Sequence, residues 1–332
     1  FLLKKECPPE APARTTGIVQ SGGDPPQAKN FMTNKNFLNR VYFFQSSKVF
    51  KLFFLISAIL GGFLFFSNSA SAATYVSGTI LTDTTWTAVN SPYVVSNVTV
   101  ASGVTLTIEP STVVKFQTTS SSLSVSGTLN VNGTSTDKIY FTSIKDDTVG
   151  GDTNGDGAAT TAAAKDWSYI WIGGGTLNLN YAVARYGGYS TGYYYSTGLY
   201  NNGGTLSVSN SQLTQNFNRG VYQQSGATTI SNSEINNQSF GVHIAGGNAT
   251  ISQSSIHDNL QYGVYDTVGN SASLTLENNT FSYNGSDAYI DGVNFTHSNN
   301  NSLSGPNQGF IISGTLPENA VWTPDNMPYI IS

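Results

Sequence analysis

The chain has 332 residues, of which 39% are apolar and only 10% charged, with 34 glycines. This balance argues against intrinsic disorder and leaves few charged side chains for the outer faces of helices; it suits all-β structure with many tight turns. Beyond Ala72 six bases (Lys115, Lys138, Lys145, Lys165, Arg185 and Arg219) face sixteen acids, a net charge near −10. That field repels nucleic acid and is compatible with neutral glycans or cations such as Ca²⁺.

The segment up to Ala72 reads as an address rather than a fold. Leu52 to Phe66 is a continuous apolar run, preceded by Lys35, Arg40, Lys48 and Lys51 and followed by Ser67-Asn68-Ser69-Ala70-Ser71-Ala72. A basic region, an apolar stretch and an A-x-A site predict a signal peptide over 32–72, cut between Ala72 and Ala73. The alternative is an uncleaved anchor, for which the run is short against a hydrocarbon layer of ~30 Å. Residues 1–31 read as upstream sequence before a natural start at Met32, or else as an unusually long leader. The sole cysteine, Cys7, precedes the export signal, so no disulfide is expected in the mature part. The predicted location is secreted, free or attached to the cell surface, with membrane contact only through the signal peptide during export.

Residues 73–312 are expected to form one module. Tyr93–Val100, 104–108, Val113–Phe116, 123–131 and 139–141 alternate apolar and polar residues between Gly, Ser or Pro, the pattern of short strands. Residues 76–92 are expected to cap the end of the stack, where strand edges are otherwise open.

Beyond Tyr200 the chain repeats itself. Val208, Ile230, Ile251 and Leu276 follow one another at steps of 22, 21 and 25, and Leu213, Ile235, Ile256 and Phe281 repeat the same three steps. Asn and Ser recur at the corners between them. One such unit cannot bury its apolar face alone, whereas stacked units share a core. A leucine-rich repeat of similar period needs an L-x-x-L-x-L skeleton that is absent. These residues resemble the parallel β-helix repeats of the pectate-lyase-like superfamily over about residues 93–300. The resemblance implies an all-β, right-handed parallel β-helix (β-solenoid). It does not single out a function, because that fold carries lyases, hydrolases, adhesins and inert spacers.

A second repeat acts at long range. Ser77-Gly78-Thr79, Trp86-Thr87, Asn90, Pro92-Tyr93 and Ser96 recur as Ser313-Gly314-Thr315, Trp322-Thr323, Asn326, Pro328-Tyr329 and Ser332, always at an offset of 236. Residues 313–332 therefore read as the start of a second module, or as a C-terminal cap matching the first one.

Three features could carry chemistry. Asp152-Thr153-Asn154-Gly155-Asp156-Gly157 places oxygen ligands at positions 1, 3 and 5 and Gly at 6, as in the first half of an EF-hand-type loop. Asp152, Asn154 and Asp156 are thus candidate Ca²⁺ ligands. Position 12 is Ala163 rather than Glu, and Asp146, Asp147 or Asp166 could replace it; the competing reading is a polar turn. If Val221, Val242 and Val264 point inward, Tyr222, His243 and Tyr265 point outward and stack on one face, where aromatic rings suit sugars. Packing of those rings against one another is the competing reading. Asp266 and Asp291, at an offset of 25, could form a carboxylate pair of the glycosidase kind, or be two turn residues. Two functions follow: a non-catalytic polysaccharide-binding, adhesive or structural surface module, or a polysaccharide lyase or glycoside hydrolase.

Overall fold

The computed structural model describes residues 72–190, 196–267, 273–292, 295–305, 309–315, 318, 321–322 and 328–332. The chain divides into two compact units, 1–67 and 68–332, and the described residues belong to the second. The expected upstream segment, the apolar run 52–66 and Cys7 lie outside the described residues.

The second unit is a right-handed parallel β-solenoid of about ten turns. Its strands pair in parallel, and each coil contributes short strands to three ladders. One ladder runs through Gln212–Thr214, Glu234–Asn236, Ser255–His257 and Thr280–Ser282. A second passes through Thr197–Ser209, Arg219–Ser231, Phe240–Ile244, Tyr262–Asp266 and Ser286–Asp291. The third joins residues 227–231 to Asn248–Ser252, Ser273–Glu277 and Phe295–Asn299.

The steps of 22, 21 and 25 are the register itself. Val208 pairs with Ile230, Ile230 with Ile251, and Ile251 with Leu276, while Leu213, Ile235, Ile256 and Phe281 form the matching column. All eight side chains are buried in one core. Parallel strands lie ~4.8 Å apart, so like residues meet like residues along the axis.

Two corners of each coil adopt the left-handed conformation. One is Asn210, Asn232, Gln253, Asn278 and Asn300, and the other is Gln215, Asn237, Asp258 and Tyr283. Asparagine tolerates this region better than branched residues do, which accounts for its recurrence. Beside these corners run interior polar ladders. Asn259 Nδ2 donates to Ile235 O (3.1 Å) and Asn284 Oδ1 (2.9 Å), and Asn279 Nδ2 donates to Ile251 O (2.7 Å) and Asn301 Oδ1 (3.0 Å). They satisfy carbonyls that a sharp bend removes from the strand ladders.

The first strands form the N-terminal coil of the stack. Thr74–Ile80 and Thr84–Trp86 pair in parallel with Tyr93–Val100 and Thr105–Ile108, forming one more coil. Trp86 stacks on Tyr93 at 4.7 Å beneath it.

Candidate functional site

The longest insertion between paired strands, from Ile144 to Asp166, leaves the solenoid between Ile139–Ser143 and Ile170–Gly173. It is pinned from inside. Lys115, fully buried, donates from Nζ to Asp146 O (2.9 Å) and Gly151 O (2.6 Å). Burial lowers the Lys115 pKa, and Asp146, Asp147 and Asp152 oppose that shift. Asp146 forms an ion pair with Arg185 (2.6 Å), and Asp166 one with Lys145 (2.8 Å). Burial would raise Asp146, but the Thr142 and Thr148 hydroxyls and Arg185 outweigh it and hold the carboxyl below its usual range.

Within this frame Asp152 curls the loop around its own carboxylate. Its oxygens accept from the N–H groups of Gly155, Asp156 and Gly157. Gly155 and Gly157 have φ of 72° and 73°, the left-handed turn expected of the motif. The carboxylates of Asp147, Asp152 and Asp156 bring one oxygen each within 4.8 Å of one another. Asp147 Oδ1 and Asp156 Oδ1 are shielded from solvent and accept no hydrogen bond. Hydrogen bonds led by that from the Thr160 hydroxyl keep the Asp156 pKa low.

Of the expected ligands, Asp152 and Asp156 lie with Asp147, while Asn154 turns its amide nitrogen to Asp156 Oδ2 (2.8 Å) and Thr160 (3.1 Å). Asp146 and Asp166, the other substitutes considered, are already committed to Arg185 and Lys145. Arg185 lies against the base of this loop.

The aromatic ladder exists, in the expected register. Trp171, Tyr200, Tyr222, His243, Tyr265 and Tyr289 follow one another down the second face. Tyr222 and His243 lie 5.0 Å apart between ring centres, His243 and Tyr265 4.9 Å. Exposure differs from expectation: Tyr222 is 4% and His243 7% exposed, while Trp171, Tyr265 and Tyr289 remain half-buried. The cause is a second column, Arg219, Phe240 and Tyr262, separated from the ladder by the Gly and Val positions. Its side chains lie against the rings: Arg219 over Tyr222 (4.9 Å), Phe240 against His243 (5.8 Å), and Tyr262 stacked on Tyr265 (4.8 Å). The glycines between the columns are required, since a Cβ at Gly220 or Gly241 would meet Gln238 or Gly263 O within 3.0 Å. Tyr189 is half-buried, whereas Tyr193, Tyr194 and Tyr195 lie outside the described residues.

The Asp266–Asp291 pair does not form. On this face the step is 24, with Tyr265 opposite Tyr289. Asp266 is fully buried and in register with the core residue Ile244, while Asp291 is half-buried and paired with Ser313. The turn from Phe281 to Tyr289 is one residue shorter than that from Ile256 to Tyr265, which puts the two carboxyls on alternate sides of their strands.

Sequence reasoning missed a polar groove on the first face. It is lined by Lys138, Gln212, Glu234, Ser255 and His257. His257 lies between two carboxylates, Nε2 3.1 Å from Glu234 and Nδ1 2.6 Å from Asp258. The signal was present in the repeat, because Gln212, Glu234 and Ser255 occupy one outward position of successive coils. Such a row offers hydrogen bonds to hydroxyl-rich ligands.

Register, buried column and corner chemistry together define a right-handed β-helix repeat protein. Residues 197–319 match the family described as right handed beta helix region, in agreement with the pectate-lyase-like resemblance. No curated protein and no solved structure is significantly similar to the chain.

Proposed function

We propose that the protein is a secreted β-helix module that binds polysaccharide along its aromatic face without cleaving it. The observation that carries this reading is the half-buried cluster Tyr262, Tyr265 and Tyr289, with ring centres 4.8, 5.6 and 6.1 Å apart. Its rings are held by the buried aromatic column above them, so binding does not have to order them. Aromatic rings offer apolar surface to sugar rings, and hydroxyls at their rim. Asp266 and Asp291 face different sides and do not supply the two carboxyls that a glycosidase places about the scissile bond. The net negative charge favours neutral glycans over acidic ones.

Affinity electrophoresis in gels carrying mixed-linkage β-glucan, arabinoxylan, galactomannan or polygalacturonate tests the reading. At least one neutral glycan should retard the protein, with no new reducing ends. Tyr262→Ala/Tyr265→Ala/Tyr289→Ala should weaken retention at least tenfold. Retention that survives this variant but is lost in Glu234→Gln/His257→Ala would move the site to the polar groove. No retardation by any glycan would overturn the reading.

We further propose that Asp147, Asp152 and Asp156 hold Ca²⁺. The support is the pair of shielded carboxylate oxygens without donors, in a loop whose backbone is already curled. Oxygen-only ligands suit a hard cation, and a weak extracellular-type affinity, on the order of 10⁻⁴–10⁻³ M, is expected.

A further inference from the structure

The acidic loop borders a second cleft on the first face. The first ladder continues from Gln212–Thr214 through Ala182–Arg185 and Ile139–Ser143 to Val113–Phe116. Beside these last two strands lies a cleft of about 460 Å³, within the size range of small-ligand sites. Val113 and Tyr140, paired in register, line it together with Val149 and Gly150 of the loop. Gly150, with φ 67°, lets the loop lie this close. A Cβ there would stand 3.3 Å from Val113 Cγ1 and 3.4 Å from Pro92 Cβ.

The polar side of the cleft is the turn 133–138, and Asp137 holds it in shape. Its Oδ1 accepts from the Ser111 hydroxyl (2.9 Å), and its Oδ2 from the hydroxyls of Thr136 (2.7 Å) and Thr134 (3.3 Å). These bonds, that of Thr136 first, hold the carboxyl below its usual range. Both oxygens of Asp137 are thus engaged within the turn, and what remains for a ligand is donors. The Ser135 and Tyr140 hydroxyls have no hydrogen-bond partner among the described residues, and the Lys138 ammonium has neither a hydrogen bond nor an ion pair. Lys138 stands apart in this. Lys115, Lys145, Arg185 and Arg219 are bound to oxygen or nitrogen partners, and Lys165 lies over the Phe217 ring. Lys138 also lines the polar groove of Gln212, Glu234 and His257, so the two depressions meet at its side chain.

We propose that this cleft is a second glycan subsite, separate from the aromatic cluster of the second face, and that it takes a sugar bearing an oxyanion substituent. Lys138, Tyr140 and Ser135 donate to the oxyanion, while Val113, Val149 and the Tyr140 ring offer the sugar apolar surface. A hydrogen bond with ionised partners is roughly twice as strong as a neutral one, so a free ammonium favours an oxyanion over a hydroxyl. The neighbouring sugars run on into the groove, where Gln212 and Glu234 meet their hydroxyls. The net negative charge of the protein opposes acidic glycans only at long range. It is screened beyond ~8 Å at physiological salt, and within the cleft the direct donors decide. Asp147 and Asp152 flank Val149 and Gly150 in sequence, and the Lys115 charge offsets part of theirs.

Titration calorimetry of the intact chain in EDTA tests the proposal. The chelator prevents an anion from binding through a cation at Asp147, Asp152 and Asp156. The probes are a sulfated galactan oligosaccharide and an oligogalacturonate, each beside its desulfated or carboxyl-reduced counterpart, and inorganic sulfate. At least one acidic oligosaccharide should bind at least tenfold tighter than its neutral counterpart and than inorganic sulfate; the tighter of the two shows whether the substituent is a sulfate ester or a carboxylate. Lys138→Met should weaken that binding at least tenfold and Tyr140→Phe severalfold, whereas Lys138→Arg should retain it. Lys138 is exposed, so its variants should melt as the parent does. Tyr262→Ala/Tyr265→Ala/Tyr289→Ala should bind the acidic probe unchanged, which separates this site from the aromatic one. Acidic probes that bind no tighter than neutral ones overturn the proposal, as does binding indifferent to Lys138→Met or lost in the triple tyrosine variant. Inorganic sulfate bound as tightly as the oligosaccharides overturns it as well, because the sugar would then contribute nothing.

Discussion

Arg219 Nε donates to His243 Nδ1 across 2.7 Å, inside a cluster in which neither side chain is more than 7% exposed. The acceptor role fixes His243 as neutral, with its proton on Nε2 toward Thr267 Oγ1 at 3.2 Å. Burial first, and then the Arg219 charge, pushes its pKa down to about 3. Between that value and the ordinary histidine value near 6.5, the unfolded chain binds a proton that the folded chain refuses. Stability therefore rises with pH across this window and falls on acidification, by about 3 kcal/mol at pH 4. His243→Gln keeps an acceptor for Arg219 and does not titrate. Urea unfolding at pH 7 and pH 4 should show a smaller acid loss in the variant, and equal losses in both proteins would refute the assignment.

Lys115 anchors the long loop through two backbone carbonyls. Lys115→Met keeps the apolar stem and removes the donor, leaving the buried Asp146 O unsatisfied at a cost of about 1–3 kcal/mol, while the exposed Gly151 O can turn to water. The melting temperature should fall, and trypsin should cut faster at Lys145 and Lys165 within the loop. Unchanged cleavage with an unchanged melt would show that the loop holds without this anchor.

The corners and the interior ladder should respond differently to substitution. Asn232 has φ 47°, so Asn232→Gly should be close to neutral and Asn232→Val clearly destabilising. Asn259 is fully buried, and Asn259→Ala strips the donor from Ile235 O, a loss of about 1–3 kcal/mol. Thermal melts of the three variants should rank Asn232→Gly first in stability. A destabilised Asn232→Gly, or a neutral Asn259→Ala, would contradict the roles assigned to the two positions.

The contrast between Ile251 and Tyr222 shows how far the sequence could be read. Stacking forces equivalent core residues into register, so the spacing of Val208, Ile230, Ile251 and Leu276 is the fold written along the chain. Alternation also puts Tyr222 on the outer face. It says nothing of the column beside it, and Arg219 and Phe240 lean across the glycine positions to cover that face. The Asp266 expectation failed because an insertion need not lengthen every face equally. The step is 25 from Ile256 to Phe281 but 24 from Tyr265 to Tyr289. At the acidic loop, the motif orders ligands along one segment, whereas Asp147 enters from before it through a fold pinned by Lys115, Arg185 and Lys145.

That same loop yields the last prediction. Asp147, Asp152 and Asp156 carry three negative charges whose oxygens approach within 4.8 Å, and Asp147 Oδ1 and Asp156 Oδ1 have no donor. Lys115, donating to the adjacent Gly151 carbonyl, offsets part of this charge but not the missing ligands. A divalent oxygen-seeking cation supplies both, and ligand binding to the folded state alone raises stability by RT ln(1 + [L]/Kd). With Kd on the order of 10⁻³ M, 10 mM CaCl₂ should add about 1.4 kcal/mol. Asp147→Asn/Asp156→Asn should remove this gain and, by relieving the repulsion, melt no lower than the parent in chelator. Asn154→Ala should retain the gain, since Asn154 turns its nitrogen toward Asp156 rather than an oxygen toward the cluster. Acidification should weaken the effect, although hydrogen bonding holds the Asp156 pKa below the ordinary carboxylate value. Scanning calorimetry with CaCl₂ and with EDTA decides the matter. Superimposable melts for the parent protein would leave three carboxylates in an ordinary polar loop, and a gain lost in Asn154→Ala would restore the ligand set read from the motif.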